Sequence, residues 1–415
     1  MIKEIRKIII GAVEKCGYNI PVGFDISEPP HKEMGDYATN IALLVAKANG
    51  EISKVCAERI VKNIDNVLIN KAAIAGPGFI NLFINNLFLL NTVKEILLQG
   101  NKYGATGEGK GKSVNVEYIS ANPTGPVHIG NARGGPIGEA IVNLLNFNGY
   151  KVTRSFYVND IGGQIDKLAE SFYYFYEKDN NVEISFPDGG YPGKYIEETV
   201  KYLKKKYKKE LNEINDKDEY LKFFKDKGVK AMVERIKDEV QLLGIKYDEY
   251  IYQSELENSG KTKEIIDALN ARGSTINREG ALWFKNTDYL DNCDDEDVLQ
   301  KSDGSNTYTY FADDIACHKY KIDQGACMMI DIWGSNHHGH VARMKAAMSS
   351  IGIDSDKLNI LLYQNVRVKN GEEIIKMSKR EGNFVMLADV IKFGVGPDVF
   401  KYFILSPVEM PLRTI

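Results

Sequence analysis

The chain has 415 residues, 43% of them hydrophobic and 27% charged, the balance of a globular protein long enough for two or three domains and a substantial buried core. A formal net charge of -4 excludes a uniformly basic surface that would hold nucleic acid by charge alone, though a local basic face stays possible. No apolar run reaches the length of a membrane span, and the scattered Cys16, Cys56, Cys293, Cys317 and Cys327 form no CxxC or metal-type pair, which suits buried thiols in a reducing cytoplasm.

The opening "MIKEIRKIIIGAVEKCGYNI" has an apolar patch followed by Glu14 and Lys15 with no small-residue cleavage site, so it reads as an amphipathic first helix rather than a signal peptide. Up to about residue 100, helical patterns alternate with short strand-like runs such as "GFINLFI". A small α+β domain over 1–105 follows from this. The glycine- and lysine-rich "NKYGATGEGKGKS" offers nothing apolar to bury, which predicts a linker whose core is 106–113. Within it, "TGEGKGKS" is one glycine short of a phosphate loop, because Thr106 takes the first glycine's place. A strand follows it where such a loop needs a helix, so the match is rejected.

From residue 114 the order is strand, turn, helix, strand. Val114, Val116 and Tyr118 alternate in "VNVEYIS", "NPTGP" turns, and "NARGGPIGEAIVNLLNFNG" is helical, with Ile137, Ala140, Ile141, Leu144 and Leu145 on one face. "KVTRSFYVND" is the next strand. This is a parallel crossover, the unit of a doubly wound sheet. Between about 170 and 300 the chain turns tyrosine- and lysine-rich ("KYLKKKYKKE") and reads as a helical insertion with solvated faces. The runs "ACMMIDIWG" and "LNILLYQNVRV", separated by the helical "HVARMKAAMSSIG", then supply the second half of the same sheet.

Ligands of such sheets bind beyond the carboxyl ends of the strands, where helix starts present unpaired amides and a positive dipole end. "NPTGPVHIGNARGG" puts His128, Gly130 and Asn131 there. Gly130 lets a flat ligand approach the backbone, and the two polar side chains add donors for a phosphate. Taken alone, His128 reads as a surface-turn histidine that caps a helix. Far downstream, after the predicted hairpin "RVKNGEEII", "KMSKREGN" (376–383) clusters Lys376, Lys379 and Arg380, cations able to reach over a triphosphate and neutralise a departing pyrophosphate. Alone, it reads as an ordinary basic loop.

Together the two stretches resemble the HIGH and KMSKS signatures of class I aminoacyl-tRNA synthetases. The flanks "VNVEYISANPTGPVHIGNARGG", "YVNDIGGQI", "YTYFADDIACHKYKI" and "DIWGSNHHGHVARMKAA" resemble the arginyl-tRNA synthetase family, as do "GDYATNIALLVAK" and "GPGFINLFI". The resemblance implies a Rossmann-like catalytic domain over 114–415 with a parallel sheet, the insertion, and a KMSK loop at 376–383, preceded by a tRNA-contacting N-terminal domain. It implies activation of arginine by ATP with Mg2+, no tightly bound protein metal, and transfer to arginine tRNA in the cytoplasm by a monomer.

Carried over by position, His128 and Asn131 bond the phosphates and ribose of ATP, Gly130 lies under the adenine, and Lys376, Met377, Ser378 and Lys379 hold the phosphates. A guanidinium needs a well-placed carboxylate, and Glu117 and Asp314 are candidates, with Tyr310 sharing Asp314's face if "YFADDIAC" opens a helix. The family's arginine contacts fall on Glu117, Asn122, Tyr310 and Asp314. His337 of "SNHHGH" reads as pocket-lining, since His337, His338 and His340 lack a fourth ligand at metal spacing. Asp160, Gly162 and Gln164 fit the pattern with no assigned role.

The match departs in two places. Asn131 replaces the signature's usual second histidine, and no DALR-type helical anticodon-binding domain follows the KMSK loop. Three readings stay open: a catalytic portion of an arginyl-tRNA synthetase, a paralogue that passes arginine to a non-tRNA acceptor, and a non-catalytic tRNA-binding remnant. Intact His128, Gly130, Lys376 and Lys379 count against the last.

Overall fold

The computed structural model describes residues 1–286, 297–302, 307–364, 366, 368–370, 373–375 and 384–406. It forms two compact units, Met1–Gly104 and Ala105–Ile415.

In the first unit, α1 (Ile2–Lys15) buries Ile5, Ile9, Ala12 and Val13, the spacing of one helical face. An antiparallel sheet of β1 (Ile26–Ser27), β2 (Tyr37–Thr39), β3 (Ile69–Ala75) and β4 (Phe79–Ile84) has the order β1-β2-β4-β3. Helices α2 (Ile41–Asn49) and α3 (Ser53–Lys62) share its core through Ile41, Val45 and Ile60, fully buried beside Ile80 and Leu82. Each such side chain contributes on the order of 1.5–3 kcal/mol of hydrophobic burial. Helix α4 (Asn86–Gln99) ends the unit, capped by the Asn85 side chain, which accepts from the Leu87 amide.

The second unit is built on a five-stranded parallel sheet. Strand β5 (Ser113–Tyr118) is followed by α5 (Ile129–Ala132), α6 (Gly134–Phe147) and β6 (Lys151–Val158). Helices α7 (Gly163–Asp179), α8 (Lys194–Lys206), α9 (Lys208–Glu213), α10 (Lys217–Phe223) and α11 (Val229–Gln241) come next, and β7 (Glu249–Tyr252) returns to the sheet. After α12 (Gln253–Asn258) and α13 (Lys261–Ala271), strands β8 (Thr275–Arg278), β9 (Ala281–Phe284) and β10 (Asp297–Gln300) form a separate antiparallel sheet. Helix α14 (Tyr310–Asp323), β11 (Met328–Gly334), α15 (His338–Ser350) and β12 (Leu358–Tyr363) complete the order β12-β11-β5-β6-β7. The hairpin of β13 (Val368–Asn370) and β14 (Glu373–Ile375) is antiparallel, and α16 (Leu387–Lys392) and α17 (Pro397–Leu405) end the described chain. No helix among the described residues is long and apolar enough to cross a membrane.

One sequence expectation needs correction. The insertion is not purely helical: β7 pairs with β6 at the sheet edge, and β8–β9 is a hairpin. Glu279 and Gly280 both have positive φ (52° and 78°), the backbone of a tight two-residue reversal, and the surrounding charge hid this turn. On the apolar face of α6, Ile137, Ile141 and Leu145 pack against the core, while Leu144 is 63% exposed. The buried residues of α6 are Gly134, Gly135, Pro136, Gly138 and Val142. A side chain at Gly138 would meet the Tyr118 ring at 2.3 Å, so this helix lies against β5 at a distance only glycine permits.

Candidate active site

Strand β5 ends in an unusual turn. Ile119 (φ 65°) and Ser120 (φ 36°) are consecutive non-glycine residues in the left-handed region, which costs a β-branched side chain roughly 1–2 kcal/mol. The turn is held from three sides. The Ser120 amide donates to the Tyr118 carbonyl at 2.9 Å, the Ser120 hydroxyl donates to Glu117 Oε1 at 2.8 Å, and the Tyr157 amide donates to Ser120 Oγ at 3.0 Å. The Tyr247 hydroxyl also donates to the Tyr118 carbonyl at 2.8 Å. Strain offset by this many contacts fixes where Glu117 and Asn122 stand.

His128 caps α5: its Nδ1 accepts the Asn131 amide at 3.2 Å, which places the proton of a neutral ring on Nε2. The turn before it is clamped by the Val127 amide, which donates to the buried Glu239 Oε2 at 2.6 Å. It is also stitched to the chain that leaves the KMSK stretch. The Ile129 amide donates to the Val385 carbonyl (3.1 Å), the Leu387 amide donates to the Val127 carbonyl (2.9 Å), and His128 faces Met386 in an antiparallel bridge. The first signature thus lies beside residues 385–387. Lys376, Met377, Ser378 and Lys379 themselves lie outside the described residues.

A cavity of about 1040 Å³ opens beyond the carboxyl ends of β5 and β11. It brings together His128, Gly130 and Asn131 on one side with Glu117, Asn122, Tyr310, Asp314 and His337 on the other. All eight described candidates therefore face one space. Helix α14 does begin at Tyr310, so Tyr310 and Asp314 share its inner face. Asn122 Nδ2 donates to Gln164 Oε1 at 3.0 Å, which gives Gln164 a partner at the pocket wall.

Several residues at this cavity were missed by sequence reasoning. Asp331 on β11 stands in register with Glu117 on β5, so two carboxylates sit side by side on adjacent strands. Lys321 joins them, with Nζ 2.6 Å from Glu117 Oε2 and 3.2 Å from Asp331 Oδ1. His318 Nε2 lies 2.7 Å from Asp331 Oδ2 and Nδ1 lies 2.6 Å from the Asp314 carbonyl. Both of those oxygens only accept, so both ring nitrogens carry protons and His318 is an imidazolium.

The electrostatics agree with this geometry. Burial alone would lower Lys321, but Asp331 and Glu117 reverse it and hold its ammonium above the ordinary lysine range. Burial would raise Asp331, and Lys321 and His318 overcome that, keeping it down at about 2. Burial pushes Glu117 up while Lys321 pulls against it. His318 is raised although burial opposes it, chiefly by Asp331. Nearer the mouth, His340 Nε2 lies 3.2 Å from Asp314 Oδ2, and burial with the neighbouring His340 lowers His337. The signal for this network was present as polar residues at one-face spacing in α14: Tyr310, Asp314, Cys317, His318 and Lys321.

An anion-receptive helix start and an acidic wall in one cavity can bind a nucleotide beside a cationic small molecule. Comparison with known proteins identifies the family. The family described as tRNA synthetases class I (R), catalytic domain, matches residues 92–396, and the Arginyl tRNA synthetase N terminal domain matches residues 3–84. The arginine--tRNA ligase of Caldanaerobacter subterraneus subsp. tengcongensis is 38% identical over 426 residues, covering 99% of this chain and 74% of the relative. That of Ruminiclostridium cellulolyticum is 39% identical over 416 residues, 97% of this chain and 72% of the relative. The Thermus thermophilus arginyl-tRNA synthetase structure, at 18% identity, has the same fold, with a TM-score of 0.72 over 100% of this chain and 76% of that one. With a catalytic-domain match over most of its length and relatives of this identity from end to end, the chain belongs to the arginyl-tRNA synthetase family.

Proposed function

We propose that the chain is an arginine--tRNA ligase whose two half-reactions share the cavity at the ends of β5 and β11. A carboxylate oxygen of arginine attacks the α-phosphorus of ATP, pyrophosphate leaves, and arginyl-AMP forms. A hydroxyl of the terminal adenosine of arginine tRNA then attacks the arginyl carbonyl, and AMP leaves. The observation that carries this reading is the convergence of His128, Gly130 and Asn131 with Tyr310 and Asp314 on one space.

In this reading His128 and Asn131 hold phosphate and ribose oxygens, and Gly130 leaves room for the adenine. Lys376 and Lys379, with Met377 and Ser378 between them, stabilise the charge that grows on the α-phosphate and pyrophosphate. Positioning and electrostatics supply the catalysis, with no covalent enzyme intermediate. Mg2+ enters on the phosphates, as suits a small cation that gives up its waters reluctantly. Asp314 faces the guanidinium, Tyr310 and Asn122 flank the amino acid, and Glu117 and His337 complete the wall. A buried polar pocket of this kind rejects neutral analogues by leaving its groups unpaired, so editing is unnecessary. The first unit touches the outer corner of the tRNA, and the enzyme acts as a cytoplasmic monomer.

Arginine-dependent exchange of pyrophosphate into ATP, with and without arginine tRNA, tests the first step, and charging of that tRNA tests the second. Exchange and charging are both expected. Exchange without charging would assign the arginine to another acceptor, and absence of both would remove the catalytic reading.

A further inference from the structure

Two like charges at the same register on neighbouring strands repel unless a cation lies between them. Glu117 and Asp331 hold that relation, and both line the cavity. The cation between them is Lys321, whose side chain has no exposed surface. It comes from α14, the same helix that presents Tyr310 and Asp314. With His318 as imidazolium on Asp331, the group of two carboxylates and two cations closes on itself with no net charge. Asp314, whose side chain is 26% exposed and whose Oδ2 lies 3.2 Å from His340 Nε2, is the remaining carboxylate of the cavity lining.

This arrangement bears on selectivity. A lysine or ornithine side chain ends in a compact, strongly hydrated ammonium that gains most from several oxygens gathered around one point. The space between Glu117 and Asp331 is such a point. Arginine instead offers a planar fork that is matched by a single carboxylate edge. Resting on the reading of the cavity as an arginine site, we propose that Lys321, supported by His318, is a specificity-determining positioning residue. Its ammonium occupies, from behind the wall, the place a substrate's primary ammonium would seek, and leaves Asp314 for the guanidinium.

The test compares arginine, lysine and ornithine in pyrophosphate exchange with arginine tRNA present. Binding of each amino acid is measured in parallel by calorimetry, which needs no turnover. In Lys321→Met the arginine-to-lysine ratio of kcat/KM is expected to fall at least ten-fold, mainly through gain with lysine or ornithine. Lys321→Arg, which keeps the cation, should retain the ratio within about three-fold. Because Lys321→Met strands two buried carboxylates and risks misfolding, the paired change Lys321→Met with Asp331→Asn removes one charge of each sign. It leaves Glu117 alone at that point, so the ratio should fall in the same direction by a smaller factor. If arginine and lysine parameters fall together in whichever variant keeps a wild-type melting profile, leaving the ratio within two-fold, Lys321 is a structural counter-ion and the inference is overturned. A wild-type chain that neither exchanges pyrophosphate with arginine nor binds it would instead defeat the functional reading, and this inference with it.

Discussion

Glu239 Oε2 accepts the backbone amide of Val127 at 2.6 Å, so a helix of the insertion holds the residue immediately before His128. Glu239 is buried and its other oxygen accepts from Arg235 Nε at 3.1 Å. Glu239→Ala leaves that amide without an acceptor, a cost of about 1–3 kcal/mol in stability. Displacement of His128 should lower kcat for adenylate formation more than it raises the KM for arginine. Urea unfolding and steady-state exchange measure the two effects, and a stable variant with a wild-type kcat would dissociate the clamp from the chemistry.

In the proposed reading Asp314, beside His340, faces the guanidinium of the substrate. Asp314→Ala should weaken arginine binding by about 1.5–3 kcal/mol, roughly a ten- to hundred-fold rise in KM. Discrimination against lysine should fall as well. Retained discrimination, measured as the ratio of kcat/KM values, would contradict the role given to this residue.

Asp313, next to it in sequence, faces the other way. It is fully buried, and Gln253 Nε2 donates to it at 2.7 Å and Thr262 Oγ1 at 2.8 Å. Burial pushes its carboxyl up to about 7, with Glu257 adding repulsion and the two donors pulling against it. Between its ordinary value of 3.8 and about 7 the folded chain therefore holds a proton that the unfolded chain has released. Stability from this group is present below pH 4 and lost as pH rises through 7. The melting temperature of the wild type, relative to Asp313→Asn, should decline from pH 5 to pH 8. A difference that stays constant across this range would show that Asp313 does not titrate there.

Lys379→Ala should depress the rate of adenylate formation at least a hundred-fold while arginine affinity changes little, because charge on pyrophosphate develops only as the bond breaks. Pre-steady-state exchange separates the two quantities. An unchanged rate would remove Lys379 from the mechanism.

How much of this was legible in the sequence depended on whether the cause was local. The alternation of Val114, Val116 and Tyr118 defined β5, and the four-residue spacing of Tyr310 and Asp314 defined the inner face of α14. Both are consequences of periodicity along one element. The pairing of Asp331 with Glu117 was not legible, because it depends on the register of two strands far apart in sequence. Lys321 looked like one more charge in "CHKYKI" until packing buried it. Strand β7 was obscured for a related reason. Its four residues, "EYIY", are too short and too polar at their edges to stand out from the insertion around them. The apolar face of α6 was legible through Ile137, Ile141 and Leu145, but the close approach at Gly138 and the exposure of Leu144 were not, because both depend on what packs against the helix.

The ladder between 127–129 and 385–387 acts as a tether. Lys379 precedes Val385 by six residues in the sequence. The Val385 carbonyl is itself bonded to Ile129, the neighbour of His128. A one-residue slip at this seam would turn alternate side chains of 385–387 to the opposite side. Insertions or deletions beside Val385 and Leu387 should consequently be far more damaging than substitutions there, because what the seam preserves is a register.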